Sequence, residues 1–280
     1  MTKRSPPLFA SLAKVKSAHT KLVELGQAIN AFVDETKFAL RAEKHDGLTY
    51  VIGCVNQTPD ESLSLKAGEV SVQLRDALDK MAVALIVKND RGASGVHFPF
   101  SGMDKVTGKF EPFPAPRHAH LEKKFTPEQW KLIVAQGPHP AGNRTLWGVN
   151  QIANNDKHWE GLVEVRMEPM LQHFTVGRPG DKLEGRLVLE PDWPQGLVKQ
   201  NETDRVLFGF EGSLPHASNA SAGLGVVFGE IPPVTGRDVM VTLEAQTREV
   251  ERIVQLFLRT FFSVAGLVPV IAAVVQRSPC

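Results

Sequence analysis

Apolar positions in this chain first keep a helical period, then alternate, and return to a helical period near the end. Leu12, Val15, Leu22, Val23, Leu25, Ile29 and Phe32 recur at three- and four-residue steps, which predicts a long helix over 8–38. Phe38 and Leu40 then alternate with Ala39 and Arg41, and His45-Asp46-Gly47 supplies a turn before the β-branched run 48–55. That pattern predicts a β-hairpin over 36–56. Thr58-Pro59-Asp60-Glu61 carries a capping signature, with Thr58 as the cap and Pro59 at the first helical position. The stripe Val70, Leu74, Ala77, Leu78, Met81, Leu85 extends that helix to about Val87.

Residues 89–124 form a Gly/Pro-rich excursion in which Val96-His97-Phe98 is a short extended piece. Thr126-Pro127-Glu128-Gln129 repeats the capping signature, so a helix is expected to about Gln136, stopped by Gly137-Pro138-His139-Pro140. A further helix over 145–155 contains Leu146, Trp147, Val149 and Ile152. From Leu162 the period is mostly two: 162–167, 185–190, 205–210 and 238–244 alternate, with no helical crossover between them. These strands are therefore predicted to pair antiparallel. Thr247 is the expected cap of a last helix with Val250, Ile253, Val254, Phe257, Leu258 and Phe261 on one face.

The predicted class is α+β: N-terminal helices with a β-hairpin packed on a C-terminal antiparallel sheet, closed by a C-terminal helix. The helical part spans 1–160 and the β part 161–280, although the hairpin and the last helix could tie both into one domain. A chain of 280 residues is long enough for a sizeable core in either arrangement. Lysine and arginine total 32 against 31 acidic residues, so no overall charge excess advertises nucleic-acid binding. The two cysteines, Cys54 and Cys280, make no disulfide framework, which points to a reducing, cytoplasmic compartment. Met1-Thr2-Lys3-Arg4 would suit the start of a signal peptide, but Lys14 and Lys16 interrupt any apolar stretch behind it, so the segment reads as helix. Residues 261–275 are uncharged and apolar yet shorter than the roughly 18 residues of a membrane span, and Pro269 interrupts them. A buried helix end followed by a strand-like tail is expected there rather than a membrane span, and membrane contact of this stretch is left open.

Two polar runs carry the candidate chemistry. Leu74-Arg75-Asp76-Ala77-Leu78-Asp79 lies inside the apolar stripe of a helix, and Asn154-Asn155-Asp156-Lys157-His158 closes a later one. Charges in such places need partners or they destabilise the fold. Arg75 and Asp79 are one helical turn apart and share a face, so they can pair. In the second run, Asn suits a helix end, Lys157 and His158 oppose the negative end of the helix dipole, and Asp156 can hold a turn. Those are structural duties. The catalytic alternative sets His158 against Asp79 or Asp156 as an oriented acid or base, with Arg75 or Lys157 holding an anion.

The pieces Leu74, Arg75, Ala77, Leu78 and Asp79, then Phe98-Pro99-Phe100, then Asn154, Asp156, Lys157 and His158 ahead of strands resemble a family of uncharacterised bacterial proteins. The order and spacing match over about Leu63 to Leu171. The resemblance implies an architecture and no reaction; Lys80 stands where members often carry His. A second similarity is to HEPN-type helical domains, some of which cut RNA with an Arg followed four to six residues later by His. Arg75 has no His at that spacing, and Arg144 to His158 is too long.

His118-x-His120 would suit two metal ligands on a strand, but it lies in a proline-rich loop without a neighbouring Cys, so no metal is expected. Gly223-x-Gly225-x-x-x-Gly229 lacks the lysine of a phosphate loop and reads as strand and turn. No nucleophile elbow and no cofactor motif is present. The sequence thus favours a non-enzymatic binding or interaction protein, with a homo-oligomer or another protein as partner and RNA left open. Its alternative is a hydrolase or RNA-cleaving enzyme using His158 with Arg75 and Asp79.

Overall fold

A computed structural model describes residues 7–55, 57–102, 109–155, 162–169, 185–188, 205–212 and 222–262. In chain order the elements are α1 (Pro7–Glu35), β1 (Phe38–His45), β2 (Leu48–Val55), α2 (Glu61–Lys88), a 3-10 turn (Pro116–His118), α3 (Ala119–Glu122), α4 (Pro127–Ala135), α5 (Arg144–Asn155), β3 (Val163–Pro169), β4 (Gly185–Val188), β5 (Arg205–Gly212), β6 (Ala222–Phe228) and α6 (Val239–Phe261). The class is α+β, and the strand pairs among the described residues are antiparallel.

The hairpin forms as its turn chemistry dictates. Asp46 and Gly47 both take positive φ, 49° and 82°, between the paired residues His45 and Leu48. It does not pack on the later sheet but joins it edge to edge. β2 pairs with β5, giving the order β1-β2-β5-β4, while β3 and β6 form a separate two-stranded ribbon. The ladder between β2 and β5 crosses the expected 160/161 boundary. Strand pairing of this kind depends on register between distant segments, which alternation within each segment cannot reveal.

Two helix starts differ from expectation. Asp60, not Thr58, caps α2: its side chain accepts from Ser62 N at 3.0 Å, and Glu61 is the first helical residue. An aspartate is as good a cap as threonine, and the two signals were adjacent. The alternating run 238–244 is not a strand but the first two turns of α6. Asp238 caps it by accepting from Val241 N at 2.8 Å. Val239, Leu243, Gln246 and Val250 are all buried, a helical spacing that overrides the β preference of the valines. Thr247 lies within the helix and returns its hydroxyl to Leu243 O at 2.7 Å.

The core runs through the helices. Leu25 of α1, Leu74, Leu78, Met81 and Leu85 of α2, Leu146 and Val149 of α5, and Ile253 and Phe257 of α6 are fully buried in one cluster. Val163, Val226 and Phe228 bring the β3–β6 ribbon into the same cluster. The Gln246 side chain of α6 packs against the bare Gly148 of α5, where a Cβ would lie 2.8 Å from its amide nitrogen. No helix among the described residues is long and apolar enough to cross a membrane. The apolar stretch 261–275 lies outside the described residues beyond Phe262.

Candidate functional site

Arg75 and Asp79 sit on the outward-turning side of the buried α2 stripe, as their spacing from Leu74 and Leu78 requires. They do not pair with each other by an ion pair. Asp79 accepts from the backbone N–H of Phe98 at 2.7 Å, so its carboxylate ties the loop that follows α2 back to the helix at Phe98. Arg75 donates from Nη1 to Asn154 Oδ1 at 2.6 Å, and its guanidinium carbon stands 5.7 Å from the centre of the Phe100 ring. The side chains of α2 therefore reach two distant segments, the Phe98–Phe100 loop and the last turn of α5. Asp76, on the adjoining face, is bound by Lys14 of α1 at 2.9 Å.

Electrostatics at this clasp are uneven. Burial pushes the Asp79 carboxyl above its ordinary range. The Phe98 N–H and the charges of Arg75 and His97 pull it back, and the like charge of Asp76 adds to the rise. A carboxyl with a raised pKa beside a guanidinium is a combination that can hold a proton and an anion. Among the other site residues expected from sequence, Asn154 belongs to the clasp, whereas Asp156, Lys157 and His158 lie outside the described residues.

The loop residues Phe98 and Phe100 are partners that charge patterning alone did not reveal. Their signal was the Phe98-Pro99-Phe100 run, buried throughout. Beyond them the chain folds into a tight strap. Ser101 Oγ donates to Glu111 O at 2.8 Å, the Trp147 indole donates to Ser101 O at 3.2 Å, and Arg117 Nη2 binds both Phe100 O and the Glu111 carboxylate at 2.9 Å. His118 and His120 fall on the 3-10 turn and α3 here, not on a strand. His118 is 3% exposed and its Nδ1 accepts from Ala115 N at 3.1 Å, so that nitrogen is already used. No group of three or more His, Cys, Asp or Glu among the described residues could hold a metal ion.

A second polar network, unforeseen in the sequence, joins three helices. Glu249 of α6 accepts from Asn143 Nδ2 at 2.6 Å and from Arg252 Nε at 2.8 Å, and Arg252 Nη2 reaches Gln136 Oε1 at 2.9 Å. Hydrogen bonding by Arg252 holds the Glu249 carboxyl below its usual range despite its burial, helped by Asn143. Asn143 also accepts from Leu146 N at 3.0 Å, capping α5. Every group here has a structural duty. No protein-family model, no curated protein and no solved structure matches this chain.

Proposed function

We propose that the chain is a non-enzymatic binding module of the bacterial cytoplasm, engaging a second copy of itself or another protein, with the Arg75/Asp79 group as an internal clasp. The observation that carries this reading is the inward commitment of both charged groups. Asp79 is spent on a backbone amide, and Arg75 on Asn154 and the Phe100 face. Such contacts hold a loop and a helix end to α2, which shapes a surface without needing a substrate. The resemblance carried by Arg75, Asp79 and Asn154 implies an architecture and no reaction, in keeping with this role.

One observation favours a second reading, a hydrolase or RNA-cleaving enzyme: the carboxyl of Asp79 is raised above its normal range beside a guanidinium. One experiment separates the two. The full chain and its His158→Gln variant are incubated with single-stranded RNA and melted in parallel. For a binding module, neither protein accelerates cleavage, and sedimentation of the full chain shows self-association or a defined protein complex. Cleavage by the parent chain that disappears in a normally folded His158→Gln variant would overturn the proposal in favour of the enzyme.

A further inference from the structure

We propose that His118 is an acid-sensitive latch: as a neutral imidazole it closes the Ala115–His118 turn from which Arg117 reaches the Phe98–Gly102 loop, and on protonation that turn opens. The argument starts from hydrogen-bond roles and goes beyond the binding reading. His118 and Ala115 are bound to each other twice. The His118 N–H donates to Ala115 O at 2.8 Å, and the Ala115 N–H donates to His118 Nδ1 at 3.1 Å. A ring nitrogen that accepts carries no proton, so the ring is the neutral tautomer protonated at Nε2.

Adding a proton turns Nδ1 into a donor facing another donor. Ala115 is only 3% exposed, so its amide is left without an acceptor in a place water does not reach. The surroundings offset the new charge only in part. The Phe113 ring lies edge-on at 5.7 Å and itself stacks on His139 at 5.8 Å. The charged groups facing the imidazole are Arg117 on its own turn, Glu111 on the strap and His97 on the preceding loop. Glu111 is already engaged by Arg117 and by Gly102 N. Burial first, then Arg117 and His97, keep the imidazole below 6.5, while Glu111 and the Phe100 carbonyl pull the other way. Release therefore falls on the acid side of 6.5.

The strap matters because of what it clamps. Arg117 Nη2 donates to Phe100 O at 2.9 Å, Glu111 N donates to Gly102 O at 3.0 Å, and Ser101 Oγ donates to Glu111 O at 2.8 Å. Phe100 is the ring beneath the Arg75 guanidinium. Acid opening at His118 thus acts on the turn that carries Arg117, one of the ties to the loop beside the Arg75/Asp79 clasp.

The test is amide hydrogen exchange of the full chain between pH 7.5 and pH 5, corrected for intrinsic rates. The parent, His118→Gln and His118→Ala are compared, and the Leu78 and Val254 amides report the core. His118 is the third residue of its turn, where a glutamine side chain also reaches back to the cap amide, so His118→Gln keeps an acceptor that does not titrate. Protection at Ala115 is expected to fall at least about tenfold in the parent while the core amides hold, to stay level in His118→Gln, and to be low throughout in His118→Ala. Unchanged protection in the parent would overturn the latch. So would an equal fall in His118→Gln, or a loss shared with the core. Should His118→Ala fail to fold, nitrogen NMR of the parent ring at pH 7.5 decides: a proton on Nε2 is required, and one on Nδ1 rules the latch out.

Discussion

Asp79 offers a direct way to separate a charge from a hydrogen bond. Its carboxylate accepts from Phe98 N, and Phe98 is 1% exposed. Asp79→Ala leaves that amide without its acceptor, which costs about 1–3 kcal/mol. In a chain of this size each kcal/mol moves Tm by about 2–4 °C, so a fall of roughly 2–12 °C is expected. Asp79→Asn keeps an oxygen in place of the lost acceptor and removes a charge whose burial is the dominant influence on it. It is expected to match or exceed the parent at pH 7. The pH dependence follows from the direction of the shift. The folded-state pKa lies above 3.8, so below 3.8 the group is protonated whether folded or not and carries no penalty. Stability is lost as pH rises from 3.8 through the folded value, and the penalty stays constant above it. Urea midpoints of the parent, Ala and Asn forms between pH 3.5 and 7 measure this. The parent should lose ground to Asn as pH rises. An Asn variant as damaged as Ala, or a parent that gains on Asn with rising pH, would show that Asp79 is held by attraction to Arg75 and that the reasoning is wrong.

A double-mutant cycle of Arg75→Ala with Asn154→Ala should return a coupling of about 1–2 kcal/mol, since the bond joins a charged donor to a neutral acceptor; additive effects would mean that α2 and α5 are not clasped there. Glu249 is held below 4.5 by Arg252, so its contribution is present above 4.5 and lost as pH falls through the folded value. Glu249→Gln should therefore flatten the acid limb of stability in urea titrations from pH 5 to 3, and an unchanged limb counts against the network. Gln246 is 1% exposed, and neither polar atom of its amide has a hydrogen-bond partner among the described residues. Gln246→Met, of similar volume, should raise stability by about 1 kcal/mol, and a clear loss in thermal melts would reveal a bond the amide makes.

Local chemistry was legible where one segment contains its own explanation. The Asp46-Gly47 turn specified the hairpin and its register, and the α2 stripe from Val70 to Leu85 named the buried face. The Thr126 capping box formed as read, with Gln129 Oε1 accepting from Thr126 N at 3.0 Å. The run 238–244 reads as a strand because Val239, Val241 and Leu243 alternate, yet burial of Val239 and Leu243 in the helical core makes it the start of α6. The clasp was legible only in part. That Arg75 and Asp79 needed partners followed from charge in an apolar stripe, but Phe98 N, Asn154 and the Phe100 ring could not be named from α2 itself.

By itself, then, the order of residues settled the hairpin turn, the Thr126 cap and the buried stripe of α2: such periodicity, caps and turn dihedrals act over a few positions and answer to local sterics and hydrogen bonds. Only the folded chain decided that β2 lies beside β5, that Arg75 reaches 79 positions along the sequence to Asn154, and that Ala115 binds the buried His118 ring. Such pairings arise when burial of many apolar side chains brings distant polar groups within reach. Each group then takes whichever neighbour satisfies it, and no periodicity in either segment records that choice.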